Sequence, residues 1–494
     1  INPPVFVTSF ILLLLLLGYS IVFKDTAQEV FPKVLQVVSA WGGWFYVATV
    51  AGFIVVALWL LFSRFANIRL GADGERPDFS TFSWFAMLFS AGVGIGLVFY
   101  GVAEPMMHYA SLPGVESRSA ESAGQAVAVT LFHWGIHAWA IYVMMGLAVA
   151  YFAFRKGLPL AIRSCFHPLL GNRIHGWAGH VVDILAVLGT LLGLATSLGL
   201  GAMQVSAGLG TVLDLPHTLN TQLVLIAVIT LAATISLVTG LQHGIRRLSE
   251  LNLFLAAVLL AFVFAVGPTG KLVLALFQNV VEYGRQMGLR TFGFHLLSGE
   301  SADWSRSWTI FYWGWWISWA PFVGMFVARI SRGRTIREFI LATLLVPTAV
   351  CAVWFTVFGN TALHLEELSG GISEAVSADV ATAVYALLAQ LPLASITSLL
   401  AVVLIAVFFV TSSDSASFVV DMLTSGGHPN PPRWQRVFWA VAEGACAAIL
   451  LYAGGKEGLK ALQAAVVSIG LPFCLVLILV AVSLLKALRQ EPRR

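Results

Sequence analysis

The chain has 494 residues, of which 59% are hydrophobic and 11% are charged, and its formal net charge at pH 7 is +4. Soluble domains carry about 25% charged residues, so this composition excludes an ordinary soluble domain and predicts a membrane protein with many spans. The small net charge gives no reason to expect nucleic acid as a partner.

Apolar runs separated by polar breaks predict twelve membrane spans of about 20 residues or more. In chain order they lie near residues 5–23, 41–63, 80–109, 125–154, 181–207, 219–241, 251–267, 307–330, 338–362, 393–423, 434–453 and 461–486. The loops on one side of this layout hold most of the lysines and arginines. That side is expected to be cytoplasmic, which places both termini in the cytoplasm.

Two further segments are predicted to be helices that lie on the outer membrane surface. One covers residues 24–40, and the other covers residues 273–289, where apolar and polar residues alternate at helical spacing. An amphipathic helix of this kind places its apolar face at the boundary between headgroups and acyl chains.

Two of the predicted spans contain helix-breaking sequences. The third has glycine at every second position, Gly92, Gly94 and Gly96, and the eighth contains Ser-Trp-Ala-Pro at residues 318–321. Each opens a block of five spans, 3–7 and 8–12, and an odd number of spans per block gives the two blocks opposite orientations. Interrupted helices at matching positions of two halves indicate a transporter binding site. For the glycines, close helix packing is the alternative.

Aromatic residues concentrate in the fourth and eighth spans. Trp134, Trp139 and Tyr142 share one broad helical face, and a denser group follows at Trp304, Trp308, Trp313, Trp315, Trp316 and Trp319. Trp faces are the best side-chain partners for a desolvated cation, so the two groups together predict an aromatic cage. Trp315 is expected to point about 100° away from Trp316 and to serve another station of the pathway. Taken alone, an aromatic stripe is more often lipid-facing or core.

Polar residues inside the spans have both functional and structural interpretations. The hydroxyl-rich stretch 411–415 offers oxygen ligands for a cation, although such hydroxyls usually bond the carbonyl four residues earlier. Asp414 is either functional or locally paired. His133 and His137 are expected to form hydrogen bonds in the core, and Glu104 is interpreted as the end of the third span.

No catalytic motif is present, because GxSxG, HExxH and P-loop patterns are all absent. The chain is therefore predicted not to be an enzyme. Its four scattered cysteines contain no CxxC pair and are interpreted as packing residues.

The segment WTIFYWGWWISWAPFVGMFVARISRGRTIR, residues 308–337, resembles the signature of the betaine/carnitine/choline transporter family. AGVGIGLVFYGVAEP (91–105), LFHWGIHAWAIY (131–142) and FFVTSSDS (408–415) agree with that family in order and spacing. The resemblance implies an all-α membrane protein with twelve transmembrane helices, in which spans 3–12 form two inverted five-helix repeats of the LeuT-like kind. The implied parts are residues 1–78, with two extra spans and a surface helix, and the repeats 79–300 and 301–494. It also implies a homotrimer in the bacterial inner membrane.

Carried over position by position, the family's aromatic box corresponds to Trp134, Trp139, Tyr142 and Trp316. Trp315, Trp319 and Phe311 would be its neighbours along the pathway. The backbone of residues 93–96, which include Gly94 and Gly96, would approach the carboxylate of the substrate.

The resemblance also implies ion sites. One sodium ion would bind the side chains of Thr411 and Ser412 and the carbonyl groups of Ser90, Val93 and Phe408. A second site would involve Phe322 and either Thr196 or Ser197. No organic cofactor is expected.

The expected function is secondary active import of glycine betaine, or a related trimethylammonium osmolyte, by sodium symport through alternating access. Choline-dedicated relatives tend to carry aspartate at the position of Gly96, so glycine there favours a zwitterion. Proton-coupled choline uptake and carnitine exchange remain the alternatives within the family. An onium-sensing channel or receptor is the alternative outside it.

Overall fold

The computed structural model describes residues 1–92, 94–238, 242–428 and 431–492. Within these ranges the chain is helical, and its single isolated bridge is antiparallel, between Arg69 and Thr335. The longer α-helices, numbered in chain order, are α1 (Pro3–Val22), α2 (Lys24–Phe62), α3 (Thr81–Gly92), α4 (Ile95–Ala110), α5 (Ala120–Trp134), α6 (Ile136–Ala150), α7 (Trp177–Leu213), α8 (Leu219–Val238), α9 (Gln242–Val266), α10 (Thr269–Thr291), α11 (Phe311–Ile330), α12 (Ile336–Phe355), α13 (Ala394–Thr424), α14 (Arg433–Gly454) and α15 (Gly458–Arg489).

Shorter helical segments connect these helices. π-helical turns occur at Tyr151–Arg155, Arg306–Ile310 and Thr356–Asn360. Short α-helices lie at His167–Leu170, Ala302–Ser305, Thr361–Ser369, Ile372–Ala378 and Ala383–Ala389. Single 3₁₀ turns lie at Ile162–Phe166, Gly171–His175, Phe294–Leu297, Gly299–Ser301, Val380–Thr382 and Gly455–Glu457.

Ten helices in the described ranges are long and apolar enough to cross a membrane, judged by length and composition. They coincide with ten of the twelve predicted spans. The other two predictions, 80–109 and 307–330, are the spans with helix-breaking sequences. The first folds as the two short helices α3 and α4, and the second contains α11, whose many indole rings lower its mean hydropathy.

Burial separates an inner from an outer set of helices. α5, α6, α7 and α11 are buried along most of their length, whereas α1, α8 and the described part of α9 bury only a minority of their residues. Exposed apolar helices at the periphery of a membrane protein are expected to face lipid. The inner helices therefore define the part of the bundle in which polar groups need protein partners.

The helix breaks differ from the prediction in two places. The eighth span does not break at residues 318–321, because α11 continues through Pro321, and Ser318 Oγ donates to the carbonyl oxygen of Trp315 at 2.8 Å. The irregular turn of this span instead lies just before α11, in the π-helical segment Arg306–Ile310. The fourth span, predicted as one helix, is interrupted at Gly135 between α5 and α6.

Of the two predicted surface helices, one forms as a separate helix. Residues 24–40 are the first part of the 39-residue helix α2, so the prediction of a separate helix there is wrong. At about 1.5 Å per residue α2 is about 58 Å long, well beyond a hydrocarbon core of about 30 Å. Helix α10 is separate and has an exposed apolar face that includes Leu274, Phe277 and Val281. Its position on the membrane surface stays a prediction.

Ionic contacts join the end of α15 to the end of the fourth span. Glu491 lies 2.7 Å from Arg155 Nη2 and 2.8 Å from Lys156 Nζ, and it accepts the Tyr151 hydroxyl at 2.7 Å. The Arg155 hydrogen bond is the largest cause that lowers the pKa of Glu491, from an ordinary value of 4.5 to about 2. This carboxylate therefore stabilises the folded chain in its ionised form.

Glu491→Gln is expected to lower the free energy of unfolding at pH 7 by about 1.5–3 kcal/mol, the usual contribution of hydrogen bonds to a charged group. Because the folded pKa is depressed, this contribution is present above pH 4.5 and is lost as the pH falls through 4.5 towards 2. Thermal unfolding in detergent at several pH values measures it. Glu457→Gln is the control, since the Glu457–Lys460 pair is half-exposed and should contribute little. Equal effects of the two substitutions would contradict the prediction.

Candidate functional site

A cavity of ≈ 230 Å³ lies inside the bundle, among the helices that carry the sequence motifs. Its lining residues come from α3, α4, α5, α6, α7, α9, α11, α12 and α13. They are Ser90, Gly94, Ile95, Gly96, Leu97, Trp134, Ala138, Trp139, Tyr142, Ser197, Ser249, Asn252, Trp315, Trp316, Trp319, Phe322, Val323, Phe326, Cys351, Phe408, Thr411, Ser412 and Ser415. Aromatic rings, glycine backbone and hydroxyl groups therefore meet at one place.

The four residues of the expected aromatic box line this cavity. The rings of Trp134 and Trp316 meet edge to face, with centroids 4.8 Å apart and planes at 70°. Trp139 and Tyr142 form a second such pair, at 5.2 Å and 75°. These contacts fix the ring orientations before any guest enters, and pre-organised rings are what a cation cage requires.

The neighbouring aromatic residues divide into two groups. Trp315 and Trp319 also line the cavity, whereas Phe311 is buried behind it and stacks on Trp315 at 5.4 Å. Trp315 does not point away from Trp316, as its helical position had suggested. Its ring lies parallel to that of Trp316, with centroids 4.8 Å apart, because the two indoles share one wall.

Indole N–H groups anchor the box to the interruption between α5 and α6. The indole nitrogen of Trp316 donates to the carbonyl oxygen of His133 at 2.8 Å, and Ile136 N donates to the Tyr283 hydroxyl oxygen at 3.0 Å. A Cβ atom at Gly135 would lie 2.6 Å from the Leu131 carbonyl oxygen. The interruption therefore needs glycine at position 135. It also leaves the His133 carbonyl group free to accept the indole N–H group of Trp316 from another span.

Glu104 is a central residue that the sequence interpretation missed. It is fully buried, and its oxygens accept the Trp134 indole N–H at 2.9 Å and the Tyr312 hydroxyl. His133 Nδ1 lies 2.6 Å from the same carboxylate, and His108 Nε2 lies 3.1 Å from it. The signal was available, because an ionisable residue within an apolar run is a functional candidate.

The two histidines of the fourth span form hydrogen bonds in the core, as expected. His133 bonds Glu104 and Thr309, and His137 bonds Thr291 at 2.8 Å. Glu104, His108 and His133 offer three ligand atoms within 4.8 Å of one another, a grouping of the kind that can hold a metal ion. Their direct hydrogen bonds already account for the arrangement.

The glycine segment brings the start of α4 to the cavity. Gly94 precedes α4 with extended backbone, and nothing lies within 4 Å of where its Cβ atom would be. A Cβ atom at Gly96 would lie 2.8 Å from Trp134 and 2.9 Å from Trp315, too close for real contacts. Gly96 therefore permits the close approach of two cavity tryptophans, a role that the sequence did not reveal. Val93 lies outside the described residues.

The residues of the first expected sodium site also line the cavity: Ser90, Phe408, Thr411 and Ser412. Thr411 Oγ1 lies 3.2 Å from the Phe408 carbonyl oxygen and accepts Asn252 Nδ2 at 2.8 Å. Asn252, on α9, was not predicted, and among the described residues its buried Oδ1 atom has no hydrogen-bond partner. An amide oxygen is a suitable hard ligand, so α9 adds a candidate to this oxygen-rich corner.

The two alternatives for the second expected sodium site, Thr196 and Ser197, have different surroundings. Phe322 and Ser197 line the cavity. Thr196 does not, because its hydroxyl donates to the Leu192 carbonyl oxygen at 3.0 Å and lies 3.3 Å from that of Leu462. Ser197 is thus the one of the pair that faces the site.

Asp414 lies on another face of α13. It is buried away from the cavity and accepts a hydrogen bond from Ser236 at 3.1 Å. Next to it, Ser413 and Ser417 donate to the buried Glu443 of α14 at 3.1 and 2.8 Å. Of the two interpretations of Asp414, local pairing fits this geometry.

Comparisons with known proteins agree with the motifs. The family model described as "BCCT, betaine/carnitine/choline family transporter" matches residues 4–493. An uncharacterised transporter of Mycobacterium tuberculosis is 47% identical over 495 residues, covering 99% of this chain and 82% of that protein. A glycine betaine/proline/choline transporter of Vibrio parahaemolyticus is 42% identical, covering 100% of this chain and 91% of that protein. A probable glycine betaine transporter of Desulfitobacterium hafniense is 43% identical, covering 99% and 98%.

These matches extend over nearly the whole chain, so they apply to the aromatic, glycine and hydroxyl-rich segments together. The prediction of a transporter rather than an enzyme is confirmed by the family. The chain is a multi-pass membrane protein that belongs to the betaine/carnitine/choline transporter family.

Proposed function

We propose that this chain imports glycine betaine, or a closely related trimethylammonium osmolyte, by sodium symport through alternating access. The observation that carries the proposal is that one cavity joins an aromatic wall to the N-terminus of α4. These two features suit the two ends of a zwitterion. Two of the relatives above are named for glycine betaine, which supports the same substrate class.

The trimethylammonium head would lie among Trp134, Trp139, Tyr142 and Trp316. Its charge is spread over methyl groups that donate no ordinary hydrogen bonds, so little is lost when water leaves. Each cation–π contact contributes about 0.5–2 kcal/mol when desolvated. The four rings together would offset the removal of the head group from water.

The carboxylate would lie at the start of α4. The first N–H groups of a helix have no intrahelical partner, and the helix dipole favours an anion there. No side chain obstructs this end at Gly94, and Gly96 places no negative charge in the cavity. A zwitterion is therefore favoured over a substrate without a carboxylate.

Sodium would bind where α3 approaches α13. Thr411 and Ser412 would supply hydroxyl oxygens, and Ser90, Val93 and Phe408 would supply carbonyl oxygens. We add Asn252 to this set, because its unpartnered amide oxygen lies on the same wall. Such an ion would tie the glycine-rich segment to α13, so that ion binding organises the carboxylate site. The second ion would bind near Phe322 and Ser197.

The proposed architecture has twelve spans, with 1–78 preceding two inverted repeats, 79–300 and 301–494. Matching helix contacts support the repeats: α6 packs on α11 as α12 packs on α3, and α7 packs on α15 as α13 packs on α9. Rocking of one half against the other would open the cavity to each side in turn. A homotrimer in the bacterial inner membrane with cytoplasmic termini completes the proposal.

In proteoliposomes, a sodium gradient is expected to drive accumulation of radiolabelled glycine betaine, whereas a proton gradient alone is not. Thr411→Ala should raise the half-saturating sodium concentration at least about tenfold, the scale seen when the surroundings of a bound ion lose one contact. Thr397→Ala is the control, since its hydroxyl bonds only to carbonyl groups of its own helix.

Other outcomes of this uptake experiment would overturn the proposal in distinguishable ways. Accumulation driven only by protons, with preference for choline, would indicate proton-coupled choline uptake. Uptake that needs internal carnitine and no ion gradient would indicate exchange. Saturable binding without flux would indicate an onium receptor.

Trp316→Leu is expected to weaken glycine betaine binding by about 3- to 30-fold, the range of one desolvated cation–π contact. Isothermal titration calorimetry of the purified protein measures this affinity. Trp177→Leu makes the same change at an exposed position outside the cavity and should leave the affinity unchanged. An unchanged affinity in Trp316→Leu would show that the proposed box does not bind the head group.

Gly96→Ala is expected to weaken glycine betaine binding about 5- to 150-fold, because overpacking by one methyl group costs about 1–3 kcal/mol. The added Cβ atom would displace Trp134 and Trp315 from the cavity wall. Gly124→Ala, on α5, is the matched control, since nothing lies within 4 Å of its added Cβ atom. Equal affinity in the two variants would mean that the box tolerates the displacement.

A further inference from the structure

Glu104 lies behind the aromatic wall rather than in it. It is absent from the cavity lining and is fully buried in α4. The Trp134 indole lies between Glu104 and the cavity. Its N–H group donates to Glu104 Oε2 at 2.9 Å, and its ring lines the cavity. The carboxylate is therefore separated from the cavity by one indole ring.

Four hydrogen-bonding groups surround this carboxylate, namely two donors and two histidine ring nitrogens. Oε2 accepts from Trp134 and Tyr312, and Oε1 faces nitrogen atoms of His133 and His108. An ionised carboxylate has about four acceptor positions and no donor, and an indole N–H group can only donate, so the arrangement suits the ionised form. In the described part of the chain, the ion-pair partners of Glu104 are these two histidines, and no lysine or arginine reaches it.

A buried negative charge that no lysine or arginine of the described residues pairs directly acts on whatever enters the neighbouring cavity. The Arg290 guanidinium lies over the Trp304 ring, which packs on both histidines, and not on the carboxylate itself. Coulomb interactions are much stronger in protein interiors than in water, because the effective dielectric constant is lower. Glu104 also lies ten residues along α4 from Gly94, about 15 Å of helix at about 1.5 Å per residue. Two points on α4 thus present opposite electrostatic preferences, an anion-binding N-terminus and an anionic side chain in the second half of the helix.

We propose that Glu104 is the buried counter-charge that makes this cavity select a positively charged head group and that orients a zwitterion along α4. The inference rests on the proposed onium site. The head group is drawn towards Glu104, and the carboxylate is driven away from it, towards the N-terminus of α4. Because an indole ring keeps the cargo from forming a direct ion pair with Glu104, attraction does not prevent release.

The test compares two ligands of the same shape that differ in one charge. Glycine betaine carries a trimethylammonium head, and 3,3-dimethylbutanoate carries a tert-butyl group in its place. The affinities of both are measured by calorimetry on the full chain, for the unsubstituted protein and for Glu104→Gln. The preference for glycine betaine is expected to fall about tenfold or more in Glu104→Gln, since one charge is removed from a low-dielectric site.

A second variant keeps the charge and changes the ring. Trp134→Phe removes the indole N–H group but retains an aromatic face and Glu104. Both ligands should bind it more weakly, while the preference for glycine betaine stays within about threefold of that of the unsubstituted protein, because the charge remains. This comparison tests the proposal even where Glu104→Gln is not recovered folded.

Three results would overturn the inference. The first is an unchanged preference in Glu104→Gln. The second is an equal loss of affinity for both ligands in that variant, which would mean that Glu104 only positions the Trp134 ring. The third is collapse of the preference in Trp134→Phe. Failure of the unsubstituted protein to bind glycine betaine would instead overturn the proposed function.

Discussion

Hydrogen bonds from indole N–H groups hold the cavity wall in place, and much of the surrounding structure provides their acceptors. A polar group in the interior of a membrane bundle has no water to bond, so an indole N–H group needs an acceptor within the protein. Three rings of the wall have one, whereas the Trp319 indole N–H group has no partner among the described residues. Trp134 bonds Glu104, Trp316 bonds the carbonyl oxygen of His133, and Trp315 bonds that of Gly193 at 3.3 Å. The three acceptors are thus a buried carboxylate, a carbonyl group freed by a helix interruption, and a carbonyl group at a close contact between two helices. The aromatic wall is consequently rigid, which suits a guest that offers no hydrogen bonds through its head group.

The helix interruptions serve this wall and the proposed carboxylate site together. Non-helical backbone is tolerated at membrane depth only where protein or a cavity surrounds it. The interruption at Gly135 is enclosed by α10 and α11, and it releases the carbonyl group that Trp316 uses. The interruption before α4 instead opens onto the cavity, where unpaired N–H groups suit an anion. Both interruptions occur at glycine, but the residues that pack against each one decide whether its free backbone groups bond the protein or face the cavity.

Helix α13 shows how one helix separates two polar environments. Thr411, Ser412 and Ser415 face the cavity, whereas Ser413 and Ser417 turn towards Glu443 on α14. Adjacent residues of a helix differ by about 100° in direction, so a hydroxyl-rich stretch reaches both sides at once. The functional stretch and the structural network therefore overlap in the sequence.

Composition, periodicity and motif content determined the class of this protein, because a bilayer restricts backbone structure so strongly that apolar length alone identifies most spans. The same regularity indicated that residues 80–109 and 307–330 differ from the other spans, and the resemblance to the family implied that Trp134, Trp139, Tyr142 and Trp316 belong together. Tertiary structure decided what depends on distant contacts. The break at Gly135 depends on Tyr283, the need for Gly96 depends on two indole rings, and Asn252 reaches Thr411 from another helix. Glu104 had an ordinary position at a helix end in the sequence, and only its partners, His108 on its own helix and three residues from α5 and α11, made it the centre of a polar network. Hydrophobic pattern is a local property of the chain, whereas the partner of a buried polar group is chosen by packing.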